Sequence, residues 1–318
     1  MLALLTLALP STGAADQFAI IGKSSSDANF IAVWRGCNEA AETRGDRCDL
    51  VDMPGAANFH RQAAAVGEAL GSGRFSGVAI SVMSSEAIAK AIRSADAAIP
   101  VITFDSPFDD GHAALSRTYV GIDNFAFGRE AGRLVRGWHP EGGILCLMTE
   151  RHDPNLARRV RGVRFELAGV EGEAGDQPLR GEGGWVEHDR CPWYSSDSAD
   201  RSLYQTRITL NSLGVDAFVS VGHWPILDAA GYAAAARPAR ARLAARQPAV
   251  VVGVGQVSDA QKQLLDMGLV HAYVGIDFPL MGQWVYRALR AAADGEALPR
   301  KTILPVATRR PSSPPEAR

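Results

Sequence analysis

Short apolar runs alternate with helix-spaced segments along almost the whole chain, and the scheme is played out twice. Its first instance shows the character of the rest. Residues 18–22 form a compact apolar run, long enough for a strand and too short for a helix. Ser24, Ser25, Ser26 and Asp27 follow as loop formers that can also cap a helix. Phe30, Val33, Trp34, Cys37, Ala40 and Ala41 then recur at helical spacing up to Arg44 and make one apolar face. Further strands read at 48–53, 76–83, 100–104 and 117–122, with helices at 58–70 and, capped by Ser84-Ser85-Glu86, up to Ala95. Alternation of this kind builds right-handed βαβ units and a parallel sheet, whose ligands bind beyond the carboxyl ends of the strands.

The second half repeats it. Strands read at 143–149, 185–188, 217–221, 250–254 and 271–276, and helices at 155–167, 202–213, 226–236, 258–267 and 280–293. Residues 301–306 are read as one strand closing the sheet. The Gly- and acid-rich stretch 169–184 is longer than such a connection needs. An internal echo links the halves: Gly121-Ile-Asp-Asn-Phe125 with Gly128 matches Gly275-Ile-Asp-Phe278 with Gly282. Each copy is a strand ending in Asp that feeds a helix through an aromatic residue, at a place suited to a crossing between lobes.

With 318 residues, the chain is too long for one small core and implies two lobes. A formal charge of -2 argues against a nucleic-acid surface. Arg158, Arg159, Arg161 and Arg164, and Arg237, Arg240, Arg242 and Arg246, cluster on helix-like segments and read as solvated faces. Apolar residues from Leu2 to Leu9, ended by Pro10 and followed by the small residues Ser11-Thr-Gly-Ala-Ala15, read as a secretory signal over residues 1–15, cleaved near Ala14 or Ala15. An uncleaved anchor is the alternative. Four cysteines in an exported chain invite disulfides, with three connectivities open. Cys37–Cys48 and Cys146–Cys191 are preferred because each pair stays within one lobe; four buried thiols are the alternative. The segment 311–318 reads as a disordered tail.

Catalytic signatures are absent from the sequence. There is no Gly-x-Ser-x-Gly elbow, and Gly253-Val-Gly255 lacks the third glycine of a dinucleotide fingerprint. His188 and Cys191 find no second close pair to complete a zinc set. No enzyme activity, metal or cofactor is expected.

Three stretches carry a family resemblance: Asp27-Ala-Asn-Phe30 leading to Arg35-Gly36, Pro100-Val-Ile-Thr-Phe-Asp105, and Tyr119-Val-Gly-Ile-Asp-Asn-Phe-Ala-Phe-Gly-Arg-Glu-Ala-Gly132. With Arg159-Val-Arg-Gly162 and Val250-Val-Val-Gly-Val-Gly255 in support, the chain from about Phe18 to Thr308 resembles the ribose-type (class I) periplasmic sugar-binding proteins. The resemblance implies an α/β fold of two doubly wound parallel-sheet lobes joined by a three-crossover hinge, with ligand in the cleft. It places one lobe at 16–122 and 277–303 and the other at 123–276 and 304–310. It also implies a ligand set. Asp27 and Phe30 hold the polar and second aromatic positions of the first loop, where Asn29 replaces the first aromatic. Asp105 matches a cleft aspartate, followed by Ser106 in place of an arginine, and Arg159 matches a cleft arginine. Gly222-His223, followed by Trp224, stands where the family has Asn-Asp, Gln256 stands where it has aspartate, and Asp277 serves as ligand group or hinge. Lost carboxylates and an added Trp and His widen the ligand class from a sugar to a less polar metabolite.

The implied protein is a periplasmic monomer that delivers its ligand to the permease of an ABC importer. The rival partner is a sensor, a histidine kinase or chemoreceptor. A transcription-regulator core would need a helix-turn-helix of roughly fifty residues ahead of Phe18, where only the leader-like run stands. An enzyme on the same scaffold would turn its ligand over.

Overall fold

The computed structural model describes residues 15–55, 57–151, 153–169, 175–196 and 198–311. The signal expected up to Ala15 lies outside them except for Ala15, and so does the expected tail from residue 312. By internal contacts the chain divides into two units, one running to Val120 and including Pro279–Lys301, the other Gly121–Phe278 and the residues from Thr302. The chain therefore passes between units after Val120, Phe278 and Lys301.

The first part runs β1 (Gln17–Ile21), α1 (Ala28–Glu42), β2 (Arg47–Leu50), α2 (Phe59–Gly71), β3 (Gly77–Ile80), α3 (Ser85–Ala95), β4 (Val101–Phe104) and β5 (Tyr119–Ile122). Helix starts follow the capping logic of the sequence: Asp27, Asn58 and Ser84 each accept a backbone N–H of the following turn. β2, β1, β3, β4 and β5 pair in that order, all parallel. Ile21, Val66, Val78, Ile80 and Ile88 are fully buried in a core beneath this sheet.

The second part runs α4 (Asn124–Trp138), β6 (Gly143–Thr149), α5 (Pro154–Ala168), β7 (Trp185–Glu187), β8 (Trp193–Tyr194), α6 (Ala199–Ser212) and β9 (Ala217–Ser220). It continues through α7 (Ala229–Ala236), α8 (Arg240–Ala244), β10 (Ala249–Val254), α9 (Asp259–Asp266) and β11 (Ala272–Gly275). α10 (Phe278–Ala293), β12 (Lys301–Leu304) and β13 (Ala307–Arg309) end the described chain. The sheet order is β13-β11-β10-β9-β6-β7, with β8 also on β6. Its core centres on Phe218, Ile226, Tyr232, Val250, Val252 and Tyr273.

Two expectations are corrected. Residues 301–306 are not one strand: β12 joins the β5 edge of the first sheet, Pro305 and Val306 break the run, and β13 pairs antiparallel with β11 of the second. A proline in the middle of a ladder lacks its donor, so the chain changes sheet there. Arg164 is not on a solvated face either. It is 7% exposed and grips Glu187 with two bonds of 2.7 and 2.9 Å, while Nη1 donates to the carbonyls of Gly175 and Asp176. The cation is buried because a carboxylate and two loop carbonyls replace its water.

Cys37 is bonded to Cys48 and Cys146 to Cys191, each link within one unit.

Candidate functional site

Each unit assembles a polar set at the carboxyl ends of its own strands. In the first, Asp105 follows β4 with φ +57°, a left-handed conformation that aspartate tolerates better than most residues. The turn is held on both sides, since Tyr119 donates its hydroxyl to the Asp105 carbonyl at 3.0 Å and Val82 N donates to the Ser106 carbonyl at 3.0 Å. The carboxylate so presented receives Ser81 Oγ–H at 2.9 Å and stands 3.5 Å from Lys23 Nζ. Lys23 follows β1, Ser81 follows β3, and Asp105 follows β4, so three successive strand ends of the sheet supply one cluster.

A buried glutamine fixes their spacing. Gln62 of α2 donates to the carbonyls of Gly22 and Ser81 at 2.8 and 2.7 Å and accepts from Met83 N at 3.0 Å. The first loop is pinned to the end of β2 by Ser24 Oγ–H on the Gly55 carbonyl and Ser25 Oγ–H on Asp52. Asp27 caps α1 by accepting from Asn29 N at 2.8 Å, and Asn29 is half-buried on the first turn. Phe30 is only 4% exposed; it lies over Gly22, where a Cβ would come within 2.5 Å of its ring, and meets Phe104 edge-on.

In the second unit Arg159, on α5, is the organiser. Its Nε donates to Asn124 Oδ1 at 2.8 Å, its Nη1 to the Val221 carbonyl at 2.9 Å, and the guanidinium lies 4.2 Å over the Phe127 ring. Asn124 is held by its place at the start of α4, where Asp123 caps the helix through Phe125 N and Ala126 N. Glu150 follows β6 and receives Ser195 Oγ–H at 2.7 Å, while Arg151 lies 3.8 Å over the Tyr194 ring. His223 stacks at 24° on Trp224 just past β9, and Trp224 is 7% exposed, packed on Gly222. Gln256 and Asp277 are exposed just past β10 and β11.

The structure thus places Asp105 and Ser106 just past a strand end of one unit, with Asp27 capping α1 and Asn29 and buried Phe30 on its first turn; in the other, His223, Trp224, Gln256 and Asp277 lie past strand ends, and Arg159 of α5 reaches the end of β9 through the Val221 carbonyl. Sequence reasoning passed over Lys23, Ser81, Asn124, Glu150 and Ser195. Asn124 stood inside a motif quoted above; Lys23, Ser81 and Ser195 become visible only once their strands are neighbours. Among the described residues no group of three or more His, Cys, Asp or Glu is placed to hold a metal ion, and no helix is long and apolar enough to cross a membrane.

A family model described as "Periplasmic binding protein domain" matches residues 18–297. The chain belongs to the periplasmic binding protein family. Solved members share its fold at low identity. An ABC transporter solute-binding protein from Agrobacterium vitis, solved with bound D-fucose, is 17% identical with a TM-score of 0.73 over 92% of this chain and 95% of that one. The arabinose-binding protein AraP from Geobacillus stearothermophilus is 17% identical with a TM-score of 0.73 over 93% and 97%. A XylFII–LytSN complex contains a chain 19% identical with a TM-score of 0.69 over 94% and 98%. No curated protein sequence matches the chain.

Proposed function

We propose that this periplasmic binding protein captures a small molecule, a sugar or a less polar metabolite, between its two units and delivers it unaltered to an ABC-type importer. The observation that carries the reading is the pair of strand-end sets, Lys23–Ser81–Asp105 in one unit and Asn124–Arg159 in the other. Each is an ionised group oriented by its own unit before any ligand arrives, which suits recognition of hydroxyl groups. D-fucose in the Agrobacterium vitis relative and arabinose in the name of AraP support a sugar. In this reading Asp105 accepts from ligand hydroxyls and Arg159 donates to ligand oxygens, with Asp27, Asn29, Ser106, His223, Gln256 and Asp277 around them. A ligand that touches both sets favours the closed arrangement by its differential affinity, and closure is what the importer reads. The protein acts as an exported monomer without cofactor.

A second reading gives the closed form to a sensor kinase; the XylFII–LytSN complex among the related structures favours considering it. Co-purification from membranes with a permease or with a kinase separates the two.

The test is native mass spectrometry of freshly purified protein, followed by thermal-shift measurements with pentoses, hexoses, polyols and apolar metabolites. A bound compound raises the melting temperature by mass action. Asp105→Ala and Arg159→Ala are each expected to weaken that ligand by about tenfold to a hundredfold, the worth of a hydrogen bond to a charged group. Unchanged affinity in both variants removes the site assignment, and consumption of the compound removes the binding-protein reading.

A further inference from the structure

The start of the described chain is held by charge. Asp16 is half-buried just ahead of β1, while Ala15 before it is exposed. The Asp16 backbone N–H donates to Asp46 Oδ1 at 3.0 Å, and Arg47 N donates to the Asp16 carbonyl at 2.9 Å. The Asp16 carboxylate takes the Ser76 hydroxyl and the Arg290 guanidinium. Arg290 also stands 3.6 Å from Asp46 and pairs with Asp294 just past the end of its helix, and Tyr286 donates to Asp46 Oδ2 at 2.8 Å.

The charges around that nitrogen do not balance. Three carboxylates, Asp16, Asp46 and Asp294, share the single guanidinium of Arg290. Of the other cations on the neighbouring elements, Arg47 and Arg74 pair with Asp49, while Arg44 and Arg287 line a groove with Glu39, Arg290, Asp294 and Glu296. Asp46 is only 8% exposed, so water screens it poorly. A positive charge at the Asp16 nitrogen would turn a neutral hydrogen bond into a charge-assisted one at the point of the deficit. The sequence offers the means, for the small residues Ser11-Thr-Gly-Ala-Ala15 after an apolar run end one bond short of that nitrogen.

We propose that the leader is removed between Ala15 and Asp16, and that Asp46 holds the α-ammonium this creates. In the step a peptidase adds water across the amide. Ala15 leaves as the carboxylate, and Asp16 keeps the nitrogen, which takes up a proton. Cleavage one residue earlier would place the ammonium on exposed Ala15, about 3.8 Å further along the chain and away from Asp46. An ordinary chain-terminal amine titrates near 7.7–8.0. Here Asp46, Asp16 and Asp294 favour the ammonium and Arg290, Arg44 and Arg47 oppose it, and Asp46 is bonded directly to the nitrogen at 3.0 Å. The amine therefore titrates higher than usual, and each unit of that rise lowers the free-amine fraction tenfold at neutral pH. Tyr286, pushed up to about 12 by burial and by its bond to Asp46, stays protonated across the range.

The experiment expresses the full chain with its own leader in a bacterial host and determines the first residue of the exported protein by terminal sequencing and intact mass. The pH profile of α-amine labelling follows, in the folded protein and in the same protein unfolded in urea. Expected is a start at Asp16 and a labelling midpoint about one pH unit above that of the unfolded chain. The midpoint returns to the unfolded value in Asp46→Asn. A chain made to begin at Ala15, with Asp46 intact, shows the unfolded midpoint as well and guards against misfolding of the variant. A start at any other residue, a retained leader, or an unshifted midpoint in the protein beginning at Asp16 overturns the proposal. None of these outcomes depends on which ligand is bound.

Discussion

His271 uses both ring nitrogens in its neutral form: Val250 N donates to Nδ1 at 2.7 Å, and Nε2–H donates to the Leu243 carbonyl at 2.8 Å. Burial pushes its pKa down to about 4 from 6.5; the bond to Leu243 opposes this, and Arg246 and His139 add to it. As pH falls through 6.5 the unfolded chain takes up the proton first, so stability is complete above that value and is lost progressively towards pH 4. The loss amounts to about 3 kcal/mol. Urea midpoints measured from pH 7 to 4 should show it, and His271→Gln, which keeps a donor and an acceptor, should flatten the profile; an equally steep profile in the variant would exclude His271 as the source. Gln62 makes a companion case without titration. Its three bonds join two strand ends, so Gln62→Leu should cost about 3 kcal/mol in the same assay by leaving buried backbone groups unmatched. Both residues show the limit of reading a site from sequence. Asp105 and Arg159 could be proposed from the sequence because they stand in motifs whose neighbours are adjacent along the chain. Gln62, Lys23 and Ser81 act across strands that only the folded sheet brings together, and nothing in their local sequence marks them.

At the scale of elements, the internal echo finds a physical meaning. An ideal Cβ on Gly128 would lie 1.9 Å from the Arg159 carbonyl oxygen, and one on Gly162 would lie 2.1 Å from that of Phe125. On α10 and α1 the same holds for Gly282 against the Val33 carbonyl and for Gly36 against that of Pro279, each at 2.0 Å. Both echoed glycines are thus places where one helix backbone touches another, α4 on α5 and α10 on α1. Gly128→Ala must push two helices apart and should destabilise by about 3 kcal/mol or more. Gly137→Ala on the same helix meets nothing within 4 Å and should be neutral or stabilising by up to about 1 kcal/mol. Equal effects on the thermal midpoint would refute the contact. Strands and helices themselves were mostly legible, since the period of two or 3.6 is a local property. Legibility failed where a partner decides: two-residue β8 is a strand only because β6 lies beside it. The stretch expected as a helix over 226–236 begins instead as a turn at Trp224–Ile226, and α7 starts only after the cap at Asp228.

For the molecule as a whole, the consequence of the chain's passages between units is that neither unit is one continuous stretch. The first lacks a layer until α10 returns to it. Met281, Val285 and Leu289 of α10 are fully buried, Tyr286 meets Phe18 edge-on at 6.0 Å, and Leu289 lies over Gly77 of β3. Burying three such side chains contributes on the order of 5 kcal/mol, comparable with the whole stability of a typical domain. The Arg290 bridges to Asp16 and Asp46 are lost with the same helix. A fragment ending at Val120 should therefore fail to fold, although it holds β1 to β4 and the disulfide between Cys37 and Cys48. The same fragment joined by a flexible linker to Pro279–Lys301 should fold cooperatively, because closing one extra loop costs little beside the layer restored. Amide dispersion by NMR and the sharpness of urea unfolding distinguish the two. A cooperative transition in the shorter fragment would mean that α10 is an addition to an already complete unit.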